Sequence, residues 1–540
     1  MFGYIQQFVP ATRLLVRGYN AWNGIHTETQ RFESSTTGIF LDSSLTVLTP
    51  TYERRHDNGT EQFPLLILLH GFAETKDTWS VQVAEFVRNG FICFAYTGRG
   101  FNGSDGECAL FSEPEIEDVD VAVREALRIL PHGIDTTRLT VMGRLYGGGI
   151  ALRACSRPST PFIAAVLFSP LLSLQSLVRQ DSIKLDILTA LSLVKQLTGT
   201  RLDKRSEVFF RLVSDPQTDY FERITLFNAY LSTTDAVITT EASRVPLFLY
   251  LSGQDEIVCS RRAANDFVAF LRSSGSTEEP ARSSTMHVTT GNHLIRESVS
   301  TPLLLSASTQ YRISMDRIIS WLLNKASIGK LYAEVNVGQG FHPIGRYLSV
   351  IGPVNYTVRV RTLALTQASN RFIPLSWTRF VGLTTFLNGW FLPSNVPPLQ
   401  LLPLTRSFNA YVVSDAAWLS YVLFGFPRIS FVLSTSQPKA AFVLYLVLYN
   451  TVGIGQIIGH VPVTCRTQQD HVAYSGIYFS YGAHQVHPGY RLALCMTKAD
   501  LQYRPQQSIP SNYAVSLENI VIQFQNYYSA SAGLEDHVWT

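Results

Sequence analysis

Residues 143–149 read Gly143-Arg144-Leu145-Tyr146-Gly147-Gly148-Gly149, and Leu139-Thr140-Val141-Met142 precede them. Two glycines four apart, after an apolar run, specify a strand that turns sharply into a helix. Such an elbow lifts its central side chain above the sheet, where a serine would attack a carbonyl. The chemistry of that arrangement is acyl transfer, with a nucleophile, a base and an acid. Here the central residue is Leu145. Leucine has no lone pair and no titratable proton, so it cannot attack.

The partners of such a nucleophile follow it in the order acid, then histidine. An apolar run at 246–251 leads into Ser252-Gly253-Gln254-Asp255. Asp255 thus falls just past a parallel strand, at the sheet edge where sites form. Its plainer role would be to cap the turn that follows. Val288-Thr289-Thr290-Gly291-Asn292-His293 places His293 in a loop before the last helix, as the histidine candidate. His287 is a weaker rival, on the preceding strand. His70, in the turn His70-Gly71-Phe72, reads as a structural residue rather than a base. The backbone N–H groups of Phe72 and Tyr146 are the oxyanion-hole candidates. They survive any side-chain change, but Leu145 would crowd the hole. No substitute nucleophile stands at the elbow. The Tyr146 side chain should point away, Cys155 falls two turns into the helix, and Cys259 comes after the acid loop.

The elements that must hold these residues alternate in type. A continuous apolar run at 64–69 has the pattern of a strand buried on both faces. A helix at about 78–89, a strand at 91–95, and a helix at about 113–130 with an acidic first turn follow. Then come the strand at 139–142, the elbow helix, and a strand at 164–168. Residues 171–240 break the alternation with helical periods at 187–194 and 208–212, which reads as an inserted cap. Strand 246–251, a helix at about 260–272 and a last helix at about 309–324 complete the pattern. The fold class is therefore α/β with a doubly wound sheet. From about 340 the texture changes to short apolar or alternating runs broken by Gly, Pro, Asn and Ser. Those at 358–363, 429–433, 442–448, 477–480 and 492–496 predict a C-terminal all-β sandwich or jelly roll. The expected organisation is an N-terminal arm or hairpin over 1–60, an α/β domain over 61–335 with its cap at 171–240, and a β-domain over 340–540.

One further segment carries a resemblance. Arg99-Gly100-Phe101-Asn102-Gly103-Ser104-Asp105-Gly106 follows a strand, and Glu115-Ile116-Glu117-Asp118 opens the next helix. With Arg144-Leu145-Tyr146-Gly147-Gly148, the chain resembles the X-prolyl dipeptidyl peptidase and cocaine esterase family of α/β-hydrolases (peptidase S15-like). That family's trailing jelly roll is similar in texture to the segments Gly425-Phe426-Pro427-Arg428-Ile429 and His487-Pro488-Gly489-Tyr490-Arg491-Leu492. The resemblance implies an α/β-hydrolase fold with a helical cap. It puts the nucleophile position at Leu145, the acid at Asp255 and the histidine at His293. The family's oxyanion tyrosine has no counterpart in His70-Gly71-Phe72.

Composition narrows the class. The net charge is +3 over 540 residues, with no basic block, so nucleic acid binding has no electrostatic footprint. Charged residues make up only 16% against roughly 25% in soluble proteins, which fits either a large protein with much interior or a surface partly covered by a protein partner or a second copy. Six separated cysteines, without CxxC or His/Cys spacing, predict reduced thiols and neither metal nor cofactor. The sequons at Asn58, Asn102 and Asn355 then read as chance matches. The first residues lack a secretory signal and, with Arg13, Arg17 and no acid before Glu28, weakly suggest a mitochondrial segment. An intracellular protein, cytoplasmic or mitochondrial, is expected. No apolar run reaches the roughly 18 residues of a spanning helix. The expected function is that of an inactive α/β-hydrolase-fold protein with a structural or binding role, such as that of a subunit in a larger assembly. The alternative is an active esterase or X-prolyl peptidase with an unrecognised nucleophile.

Overall fold

The computed structural model describes residues 20–53, 61–80, 82–171, 195, 198–208, 243–254, 284–292, 307–324, 333–336, 341–343, 356–365, 410–418, 421–438, 440–451, 455–465, 467–479, 482–498, 513–527 and 537–539. The cap periods at 187–194 and 209–212 and the helix expected at 260–272 lie outside these residues.

The first half is built on a ten-stranded sheet. An antiparallel hairpin, β1 (Ile25–Glu33) and β2 (Phe40–Leu48), forms one edge. Next in space come β4 (Ile92–Tyr96), β3 (Phe63–Leu69), β5 (Ile134–Arg144), β6 (Ala164–Phe168), β7 (Leu247–Gln254) and β8 (Thr285–Asn292), all parallel. The short strands β9 (Ala333–Asn336) and β10 (Phe341–Pro343) close the far edge. Thus β10 joins this sheet although it lies past residue 340, where the sequence texture changes.

The apolar run at 64–69 behaves as a doubly buried strand should. Its odd and even residues feed two different cores. Leu65, Ile67 and Leu69 pack with Ile116, Val119 and Ala122 of α3 (Glu113–Ile129) and Ile150 and Ala154 of α4 (Tyr146–Ser156). Leu66 and Leu68 pack with Val83, Phe86 and Val87 of α2 (Gln82–Arg88) and Ile318 and Leu322 of α5 (Ala307–Asn324). A five-residue helix, α1 (Thr49–Glu53), follows the hairpin. The helix expected at 78–89 is split into a 3₁₀ turn, Lys76–Trp79, and α2. Helices therefore cover both faces of the sheet, the doubly wound arrangement.

The second half holds two mostly antiparallel sheets. One contains β11 (Tyr356–Leu365), β13 (Tyr421–Thr435), β16 (Val472–Tyr478), β17 (Gly482–Val486), β19 (Val515–Tyr527) and β20 (His537–Trp539). The other contains β12 (Ala410–Val413), β14 (Ala440–Tyr449), β15 (Gly455–Cys465) and β18 (Arg491–Thr497). Val358, Ile429 and Ile522 of the first sheet and Phe442, Leu444 and Leu494 of the second share one core, so the sheets pack as a sandwich. Among the described residues no helix is long and apolar enough to cross a membrane.

Candidate active site

The elbow lies where β5 ends at Arg144 and α4 begins at Tyr146. Between them Leu145 has φ 53° and ψ −113°. Such a conformation costs a non-glycine residue about 1–3 kcal/mol and persists only where its surroundings hold it. Here they do. The Leu145 N–H donates to the Phe168 carbonyl at 2.9 Å, and its carbonyl accepts the N–H of Leu171 at 2.8 Å and of Gly148 at 3.1 Å.

The flanking glycines are required by close approach. A Cβ on Gly143 would stand 2.1 Å from the Gly147 carbonyl oxygen, and one on Gly147 would stand 2.5 Å from the His70 carbonyl oxygen. Helix, strand and turn touch through bare backbone.

The Leu145 side chain is buried, 8% exposed, within the apolar core that includes Phe111, Tyr146 and Ile150. Its Cδ1 lies 3.0 Å from where a Gly71 Cβ would be, so it fills the space beside the turn after β3. That turn is fixed by Glu74, whose Oε2 accepts the Gly71 N–H at 2.8 Å. Glu74 and Arg144 form a buried ion pair at 3.4 Å. The rest of the wall is aromatic: the Phe72 ring lies 5.8 Å from Phe101 and 6.3 Å from Tyr146.

Tyr146 follows the elbow centre, and its side chain runs into the core. Its hydroxyl donates to Glu115 Oε1 at 2.7 Å and accepts the Phe111 N–H at 2.8 Å. Glu115 also accepts the Ser112 N–H at 2.8 Å, closing a capping box on α3. Burial pushes the Glu115 carboxyl and the Tyr146 phenol above their ordinary pKa values. The backbone N–H of Tyr146 opens the helix and has no carbonyl a turn back to bond.

His70 is buried with both nitrogens engaged. Nε2 accepts the Gly98 N–H at 2.9 Å, so Nδ1 carries the proton and donates to the Gly71 carbonyl at 2.7 Å. Burial lowers its pKa, and a neutral ring tying two turns together is not placed to act as a base.

Arg99 is the hub of the glycine-rich segment. Its Nε and Nη2 donate to the two oxygens of Asp118 at 2.9 and 2.8 Å, and its Nη2 also reaches Ser35 Oγ at 3.1 Å. This buried fork binds the turn after β4 to α3 and to the β1–β2 hairpin.

Asp255 and His293 themselves lie outside the described residues. The backbone leading to both is described. Gln254, the last residue of β7, is the register partner of Asn292, the last residue of β8. The chain therefore leaves two adjacent parallel strands at one level, immediately before Asp255 and His293. This is the carboxyl edge on which the elbow stands, two and three strands along. His287 is set back along β8, in its first half, away from the strand's carboxyl end at Asn292.

The Glu74–Arg144 and Glu115–Tyr146 pairs were not expected from sequence; only the offset of Glu74 from Gly71, and an acid three residues after Ser112, hinted at them. Among the described residues no group of His, Cys, Asp and Glu could hold a metal.

Residues 60–281 match the family model for serine aminopeptidase, S33. One curated relative, epoxide hydrolase 3 of Xenopus tropicalis, is 34% identical over 94 residues, which is 17% of this chain and 24% of that protein. The chain thus spans about a quarter of that relative. Solved structures align over nearly the whole length. An α-amino acid ester hydrolase does so at 11% identity and TM-score 0.65, with 94% of this chain and 97% of that one covered. An aminopeptidase from a marine sediment archaeon, Thaumarchaeota archaeon, does so at 12% identity and TM-score 0.61, with the same coverage. A CocE/NonD family hydrolase from Staphylococcus aureus does so at 10% identity and TM-score 0.54, with 93% and 94% covered. At these identities the likeness is one of fold. The chain has the α/β-hydrolase fold, with further antiparallel sheets forming a β-sandwich.

Proposed function

We propose that this chain is an α/β-hydrolase-fold protein of the X-prolyl dipeptidyl peptidase and CocE/NonD kind that has lost its nucleophile, and that it acts by binding rather than by turnover. The carrying observation is Leu145. It holds the strained conformation of an elbow centre, between a strand end and a helix start, with a side chain that has no attacking atom.

The rest of the reading follows from position. Asp255 and His293 are taken as acid and histidine because they succeed register partners on the elbow's edge of the sheet. The N–H groups of Phe72 and Tyr146 are taken as the former oxyanion hole. With Leu145 against Gly71, that hole has lost room as well as its partner. A hydrolase without one triad member retains only about 10³–10⁴-fold acceleration over water, and that remnant depends on an open hole.

The alternative, cleavage of ester or prolyl-peptide bonds by another nucleophile, draws on the two retained edge positions. The cysteines described in the α/β half do not supply that nucleophile. Cys93, Cys108 and Cys155 are buried, and burial pushes their thiols far above the range where thiolate forms. The small charged fraction supports a role beside protein partners, as a subunit of a larger assembly, and the separated cysteines, read as reduced thiols, support a place inside the cell.

A fluorophosphonate probe tests the reading. No labelling of the wild-type chain, at probe concentrations that label an active serine hydrolase to completion, is the expected result. Stoichiometric labelling would replace the proposal with the alternative.

A further inference from the structure

Residues 198–208 lie inside the insertion, yet they are joined to the body by backbone. The Arg201 N–H donates to the Gly100 carbonyl at 2.6 Å, the Cys108 N–H to the Arg201 carbonyl at 3.0 Å, and the Asp203 N–H to the Cys108 carbonyl at 3.0 Å. Cys108 and Leu202 form a parallel bridge. The Arg201 guanidinium bonds the Ser104 carbonyl, and Leu202 is buried in the same core as Phe111 and Tyr146.

Gly100 makes the joint possible. It has φ +80°, and a Cβ there would stand 2.3 Å from the Arg201 carbonyl oxygen and 2.4 Å from the Cys108 nitrogen. The receiving residue also reaches the elbow: Cys108 Sγ lies 3.5 Å from the Tyr146 hydroxyl, which holds the Phe111 N–H. A continuous set of contacts therefore runs from residue 201, through Cys108, to the residue after Leu145.

We infer that residues 201–203 are a strap fastened on the Gly100 turn, and that releasing the strap also releases the 108–112 loop that holds Tyr146. The Cys108 N–H and carbonyl are both bonded to the strap, to Arg201 and Asp203, so Cys108 loses both backbone partners once residues 201–203 leave.

Native-state amide hydrogen exchange under low denaturant tests it on the wild-type chain. Segments 198–208 and 108–112 should open together, with one denaturant dependence, below the opening of 139–143 in the central sheet. Arg201→Pro removes the donor to Gly100 and should speed exchange in both segments about tenfold or more, leaving 139–143 unchanged. Gly100→Ala should do the same from the loop side. Separate openings in the wild type, opening of the strap only together with the sheet, or faster exchange at 198–208 with 108–112 unchanged would overturn the inference.

Discussion

The Tyr146 hydroxyl donates to Glu115 Oε1 at 2.7 Å, deep in the core beneath the elbow. The residue that follows the elbow centre therefore anchors its helix through its side chain. Tyr146→Phe should destabilise the fold by about 1–3 kcal/mol, because a buried carboxyl and the Phe111 N–H each lose a partner. Urea unfolding of the variant checks this; an unchanged midpoint would mean that the pair is not formed.

Glu115 gives a pH signature. Burial raises its carboxyl above the ordinary 4.5, so the folded state binds its proton more tightly than the unfolded state does. Its contribution to stability is fully present below the unfolded value and is lost as pH rises through the folded value. Glu115→Gln cannot titrate. The stability of the wild type relative to Glu115→Gln should therefore fall as pH is raised from 4.5. A difference that is flat or rises with pH would show that the acid is not held as described.

Arg99 and Asp118 are 7% and 2% exposed at their side chains, and removing one partner strands a buried charge. Arg99→Ala should cost about 3–5 kcal/mol. Arg99→Lys should recover only part of that, since an ammonium cannot reproduce the fork onto both oxygens. Thermal or denaturant unfolding of the two variants gives the ranking.

Gly143→Ala forces a methyl to 2.1 Å from a backbone oxygen that cannot swing away. A loss above about 3 kcal/mol, or no soluble protein, is expected. Near-wild-type stability would mean that strand and helix do not approach as closely as described.

Much of this architecture was legible in the residues. The run at 64–69 is apolar on consecutive positions because both faces of its strand are buried, and the elbow is legible because Gly143 and Gly147 there have no room for a Cβ. What escaped was pairing at a distance. Arg99 and Asp118 both drew notice as parts of a resemblance, but their fork closes across 19 residues of sequence, and nothing in either segment announces it. The bridge between Cys108 and Leu202 is carried by backbone atoms, which any side chains could accompany. The break between Trp79 and Gln82 was missed because the apolar period runs through both pieces. Asp255 and His293 follow strand ends in the sequence, and the register of Gln254 with Asn292 supports their assignment.

The proposed loss of the nucleophile at residue 145 is the premise of the binding role. Its most direct test is Leu145→Ser, assayed for nitrophenyl ester hydrolysis and fluorophosphonate labelling beside the wild type and Leu145→Ser/His293→Ala. An inert wild type, labelling and esterase turnover in Leu145→Ser, and loss of both when His293 is also removed are the expected results. Esterase turnover by the wild type that His293→Ala abolishes would contradict that premise.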